Sequence, residues 1–206
     1  MGEKPISREI VAEHQRARVI VKVIPVFAKR GYPDTTVDDL LATGKVGAGN
    51  FYSLFEGKEE CFLAAFDLVV GKGRRTMSEA AAGGDGWAAQ TYLGLRSLIT
   101  AILAAPLEGR LALLEAQSAG RPAVARYDAQ IDDAIAWLAR ARRFGSADLP
   151  ASYEQATAFG IAFYLQQCVL HPSSHDPDVL LEEISTLLLE PVIGRKDLAA
   201  VRRSAG

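Results

Sequence analysis

Only two cysteines occur in the sequence, Cys61 and Cys168, and they stand far apart within apolar helical patterns. That spacing offers no disulfide framework and no metal-binding motif, which excludes a stapled secreted scaffold and a zinc module. Long hydrophobic runs are also missing. The longest, 62–70 and 98–105, fall well short of the roughly 20 apolar residues a membrane helix needs. No signal-peptide pattern opens the chain, so a reduced cytoplasm is the expected compartment and no membrane is expected as a partner. Charge of one sign is lacking too: 23 Lys and Arg stand against 25 Asp and Glu, for a net charge of −2. A broad positive field is therefore absent, and any contact with nucleic acid has to come from local placement. Finally, neither a strand with period-two alternation nor an internal repeat is present, which leaves an all-α chain.

What is present is ample apolar material, 49% of 206 residues, enough for one large domain or a small domain joined to a medium one. Helical spacing predicts a first helix from about Ser7 or Glu9 to Lys29, with Ile20, Val23, Ile24 and Phe27 inward and Gly31 as its C-cap. Pro25 falls inside it and is expected to kink or break it, at a cost of about 3 kcal/mol. A second helix spans Val37 to about Thr43, capped by Thr36 and favoured by Asp38 and Asp39 at its positive end. A third runs from Gly47 to Leu54. In it Phe51 and Phe55 are spaced to pack inward with Val46, Leu40 and Phe27, leaving Ala48, Asn50, Tyr52 and Ser53 outward. A fourth begins near Lys58 and runs to about Ala82, weakened by Gly71 and Gly73. After the linker Gly83-Gly84-Asp85-Gly86, further helices are expected at about 87–104, 106–119, 122–143, 152–170, 177–189 and 195–203. They are punctuated by Pro106, Gly120 to Pro122, Gly145 to Pro150, His171-Pro172 and Pro191.

The second and third helices read as a helix-turn-helix, whose second helix approaches base edges with its first turn. Small residues at Gly47, Ala48 and Gly49 would let the backbone come close to DNA. The Asn50 amide suits a paired hydrogen bond to adenine. Tyr52, Lys58, Lys45 and Thr36 suit phosphate oxygens, and Lys45 and Lys58 lie on the approaching side. A glycine-rich phosphate loop of an enzyme fits less well. Gly47-Ala48-Gly49-Asn50 follows a helix rather than a strand and is not followed by lysine.

The order Gly31-Tyr32, Thr35-Thr36-Val37-Asp38-Asp39-Leu40, Gly44 to Tyr52 and Phe55-Glu56-Gly57-Lys58-Glu59 closely resembles the DNA-binding end of the TetR family of bacterial regulators, over roughly residues 15–65. The chain departs from the family pattern in three places. Lys45 stands where the turn usually ends in glycine, Gly47-Ala48 where a Ser-Lys pair is frequent, and Asn50 where Thr is usual. Gly44 is expected to supply the turn's flexibility one residue early. The resemblance implies a helix-turn-helix DNA-binding domain at 1–57 and a helical effector-binding and dimerisation domain at 58–206. It also implies a homodimeric repressor that reads a palindromic operator in double-stranded DNA, with helices 152–170 and 177–189 paired across the two-fold axis.

In the second domain, helices 87–104, 106–119 and 122–143 are expected to enclose a mostly apolar cavity for a small-molecule effector of unknown identity. Trp87, Tyr92, Arg96, Gln117, Tyr127, Trp137, Tyr164 and Gln167 are the candidate lining. No cofactor, metal or catalytic residue is indicated. His171 and His175 flank Pro172 in a loop rather than sharing a helical face, Cys168 reads as a buried thiol, and Arg140, Arg142 and Arg143 complement a helix C-terminus. The rival reading is a small all-helical enzyme or ligand carrier that uses the same cavity, though no patterned nucleophile supports it.

Overall fold

The computed structural model describes residues 8–143, 149–171 and 175–205. The expected start at Ser7, most of the Gly145 to Pro150 loop, and Pro172 to Ser174 lie outside the described residues. Within them the fold is helical and shows no strand, as the pattern required. No single helix is long and apolar enough to cross a membrane.

The first three helices, α1 (Arg8–Arg30), α2 (Val37–Gly44) and α3 (Ala48–Leu54), form a compact unit. Of the kink or break expected at Pro25, the break does not occur: α1 is continuous through the proline. Val19, Ile20, Val23, Ile24, Phe27 and Ala28 are all buried on either side of the proline. Each large member of that stripe contributes about 1.5–3 kcal/mol, so together they outweigh the roughly 3 kcal/mol that an interior proline costs. At Gly31 (φ 85) the helix ends as expected, its N–H donating to Phe27 O at 2.9 Å.

Helix α4 (Lys58–Ala81) continues past Gly71 and Gly73 and pairs across a tight turn with α5 (Gly86–Ala104). The chain then bends by 108° into α6 (Pro106–Leu113). Helix α6 is shorter than the expected 106–119, because Glu115–Ser118 forms a 3-10 turn instead. Helix α7 (Arg121–Ala139) likewise closes in a 3-10 turn, Arg140–Arg143. Helix α8 (Tyr153–Leu170) packs on α6 and α7. Gly109 lets α6 approach it closely, since a Cβ there would lie 2.8 Å from Val169 Cγ1.

The two last helices expected from the sequence are joined into α9 (Pro177–Ala205) around a single non-helical residue, Gly194 (φ 79, ψ 160). Past that residue Arg202 Nη2 returns to donate to Glu182 O, Ser185 Oγ and Thr186 Oγ1 at 2.7–2.8 Å. These bonds fold the final limb back on the first. The α9 helix packs chiefly on α5, and Arg96 Nη1 donates to Ala205 O at 2.5 Å. One buried apolar cluster runs through the whole molecule, because α1 packs on both α4 and α6.

Candidate nucleic-acid interface

Thr36 and Asp39 cap α2 reciprocally: Asp39 N–H donates to Thr36 Oγ1 (3.2 Å), while Thr36 N–H donates to Asp39 Oδ2 (2.9 Å). These bonds, together with the Arg30 guanidinium, hold the Asp39 carboxyl below its usual range. The Thr36 hydroxyl also donates to Asp39 Oδ2, so it is engaged within the cap while remaining exposed. The helix ends through a left-handed residue, and that residue is Lys45 (φ 53) rather than Gly44. Val46 N–H reaches back to Leu41 O at 3.2 Å in a Schellman-type stop. Gly44 stays helical, and its role is close packing: a Cβ there would meet Val46 Cγ1 at 3.3 Å and Val19 Cγ1 at 3.4 Å. The expectation that Gly44 supplies the turn's freedom is thus corrected, because the strained dihedral falls one residue later.

A left-handed non-glycine residue costs about 1 kcal/mol. Lys45→Gly should therefore raise stability by about that amount. If Lys45 meets a phosphate, the same change should weaken DNA binding and flatten the log affinity against log salt plot by about one unit. Melting curves and a salt titration of DNA binding check both halves.

Helix α3 sits on a platform of Phe51 and Phe55, both buried, with ring centroids 5.3 Å apart. Opposite that platform, Gly47, Ala48, Gly49, Asn50, Tyr52 and Ser53 are exposed. Tyr52 is 57% exposed, and its ring packs edge-on against Phe51. Ser53 Oγ donates to Asn50 O (2.7 Å) and lies 3.3 Å from Asn50 Oδ1. A Cβ added at Gly47 or Gly49 would meet no atom within 4 Å. Packing within the molecule demands neither glycine.

Lys58 opens α4, but its ammonium is already engaged. It donates to Tyr32 O (2.9 Å) and Pro33 O (3.4 Å) and lies 4.3 Å from the Tyr32 ring centroid. Of the three donors an ammonium carries, one remains for an outside acceptor. Nearby, Arg16 ties α1 to α4 by pairing with Glu60 at 2.9 Å and lying over the Phe55 ring. The Glu56 backbone N–H is the main cause that keeps the Glu60 carboxyl below its usual range, and Arg16 adds to it.

The residues put forward as an effector lining fall into separate places. Trp87 and Trp137 come together: Trp87 Nε1 donates to Trp137 O (3.4 Å), and Trp137 Nε1 donates to the buried Thr91 hydroxyl (2.9 Å). Tyr92 is buried nearby on α5, whereas Arg96 is exposed and committed to Ala205. Gln117 and Tyr127 meet around a second centre. Burial pushes the Tyr127 phenol up, while the amides of Gln166 and Gln117 face its oxygen. Tyr164 belongs to a third place, a cleft of about 240 Å³ with His175, Asp176 and Glu183. There its hydroxyl donates to Glu183, which pushes it up to about 12. Gln167 is half-buried, and its neighbour Gln166 makes the interior bonds. Sequence reading passed over Thr91, Gln166 and the buried Glu115. An acid set among Leu111, Leu113, Leu114 and Ala116 was the available signal for the last.

Burial also pushes the Cys61 thiol up to about 12 and raises that of Cys168.

Residues 24–65 match the family model described as bacterial regulatory proteins, tetR family. No curated protein matches in sequence. Among solved structures, the fatty acid degradation regulator FadR from Bacillus halodurans superposes with a TM-score of 0.73 at 14% identity, covering 92% of this chain and 97% of that one. A TetR family transcription regulator from Marinobacter aquaeolei VT8 gives 0.72 at 16%, with 89% and 98% covered. FadR from Bacillus subtilis, in complex with stearoyl-CoA, gives 0.71 at 16%, with 84% and 97% covered. At these identities the structures speak for the fold, and the family model speaks for the segment that carries the helix-turn-helix. Residues 24–65 thus resemble the bacterial regulatory proteins of the tetR family, and the chain that carries them has the all-helical fold of the solved regulators named above.

Proposed function

We propose that this TetR-type transcriptional regulator is a homodimeric repressor: residues 1–57 read a palindromic operator and residues 58–206 bind a small-molecule effector and pair the protomers. The observation that carries the reading is α3. It is a short helix on a buried aromatic platform, with Asn50 and Tyr52 exposed and two glycines the fold does not need. Gly47, Ala48 and Gly49 let the helix approach the major groove, and Asn50 reads a base. Tyr52, Lys45, Thr36 and the remaining donor of Lys58 hold phosphates.

Pairing is supported by an unpartnered apolar stripe. On α8, Ala156, Phe159, Gly160, Phe163, Gln167 and Leu170 recur at helical spacing, with Phe159 50% and Phe163 62% exposed. Val179 and Leu187 on α9 continue it. A partner's equivalent helices would cover this surface in a four-helix interface.

The effector would bind among α5, α6, α7 and α8, whose interior is apolar with the Thr91, Tyr127 and Gln166 polar groups set into it. It would act without covalent chemistry by favouring a state whose α3 helices no longer match successive grooves. Stearoyl-CoA is the first compound to try, because a protein of the same fold holds it.

Gel retardation with DNA flanking the protein's own gene tests the reading. Asn50→Ala should cost about 1–3 kcal/mol at the base it reads, whereas Tyr52→Phe should weaken binding evenly across sequences. Undiminished retardation by the Asn50→Ala, Tyr52→Phe double variant would refute the assignment.

A further inference from the structure

One buried carboxylate has no part in the interface just described. Glu115 lies in the 3-10 turn that joins α6 to α7, and only 7% of it is exposed. Its Oε2 accepts the Tyr32 backbone N–H at 3.0 Å, and its Oε1 pairs with Arg110 at 3.5 Å. Tyr32 belongs to the link between α1 and α2, the base of the helix-turn-helix. The same residue is gripped on its carboxyl side, where Tyr32 O accepts from Lys58. Its ring lies between Phe27 and Phe62, 6.0 and 5.1 Å away by centroid. Thr35 Oγ1 then donates to Gly31 O at 2.7 Å, so a displacement at Tyr32 is passed into the segment that caps α2.

The other side of the turn is held by α8. Gln166 Nε2 donates to Leu113 O (3.0 Å), the carbonyl that closes α6, and to Tyr127 OH (3.1 Å) on α7. Between these anchors the turn itself is soft. Its backbone bonds Gln117 N–H to Leu114 O and Ala119 N–H to Ala116 O are both 3.4 Å long, and 3-10 geometry is the poorer one for such bonds. A soft joint between two firm hydrogen-bonded grips moves when either grip moves.

We propose that Glu115 is the positioning residue that couples the regulatory helices to the DNA-reading module, through the relay Gln166, Leu113 carbonyl, Glu115 and Tyr32 amide. This deepens the regulator reading above and rests on it. A shift of α8 relative to α6 and α7, whether from effector or from pairing, reaches Leu113 first. It then swings Glu115 and loosens or tightens the Tyr32 peptide, so α3 changes pitch with no contact to the ligand.

The test is a double-mutant cycle on the full chain, read by amide hydrogen exchange at Tyr32 and by operator affinity. Glu115→Ala and Gln166→Leu should each speed exchange at Tyr32 by about ten-fold, and the double variant should add nothing further, because residues in one network are not additive. Glu115→Gln keeps an acceptor and should exchange within about three-fold of the native protein. The Ile99 amide, in the core of α5, serves as the internal reference and should stay unchanged. Additive effects, an unmoved Tyr32 amide in Gln166→Leu, or equal acceleration at Ile99 would overturn the coupling. Failure of the native protein to retard DNA would sink the repressor reading alone, since the exchange cycle needs no DNA.

Discussion

Gly49→Ala is expected to make the protein more stable and nearly useless. The position is helical and exposed, and an added Cβ meets nothing within 4 Å, so the methyl group costs no packing. Replacing glycine in a helix by alanine gains about 0.5–1 kcal/mol, chiefly by restricting the unfolded chain. In a domain of this size that corresponds to about 1–4 °C in the melting midpoint. The same methyl would stand between α3 and the base edges it approaches, and operator affinity should fall by at least about a hundred-fold, or roughly 2.7 kcal/mol. Calorimetry paired with a fluorescence titration on one preparation measures both. A stabilised protein with native affinity would mean that α3 does not come that close to DNA. A destabilised one would mean that the helix geometry is misjudged.

Phe163→Glu should separate the proposed homodimer into monomers while leaving each protomer folded. Phe163 is 62% exposed in the single chain, so removing it takes little from the protomer's own core, within about 0.5 kcal/mol of native stability. In the proposed pair it would be covered by its counterpart, and two buried carboxylates facing one another across the axis would be prohibitive. Gly160 and Ala156, one turn earlier on the same face, are exposed and small, which suits a close helix crossing. Loss of pairing separates the two half-site contacts, and avidity of about 10²–10⁴-fold is lost with it. Sedimentation together with a DNA titration settles the matter. A Phe163→Glu protein that still sediments as a dimer would move the proposed interface elsewhere.

The short helices of the helix-turn-helix were legible to within a residue or two, α2 from the polar cap Thr36 with Leu40 inward and α3 from the inward spacing of Phe51 and Phe55. Legibility failed where a local rule competed with packing. The proline rule foretold a kink or a break at Pro25, and the break does not occur, because six buried neighbours keep α1 continuous. Turn preference assigned the left-handed position to Gly44, yet Val19 and Val46 need the space a side chain would fill there, and the strain passes to Lys45. Pro191 suggested a break between two helices. A single residue at Gly194 makes the turn, and Arg202 closes it from 16 to 20 residues away, a distance no local pattern reports.

The sequence by itself determined the helical class, the helix-turn-helix and the outward set on α3, because caps, breakers and 3.6-residue spacing act within a few residues of one another. Only the tertiary structure decided how the interior polar groups associate: that Trp137 meets Thr91, that Gln166 rather than Gln167 reaches Tyr127, and that Glu115 holds the Tyr32 amide. Those partners lie 39 to 83 residues apart, and which polar group a buried donor finds depends on how helices cross, which is fixed by the packing of the whole core.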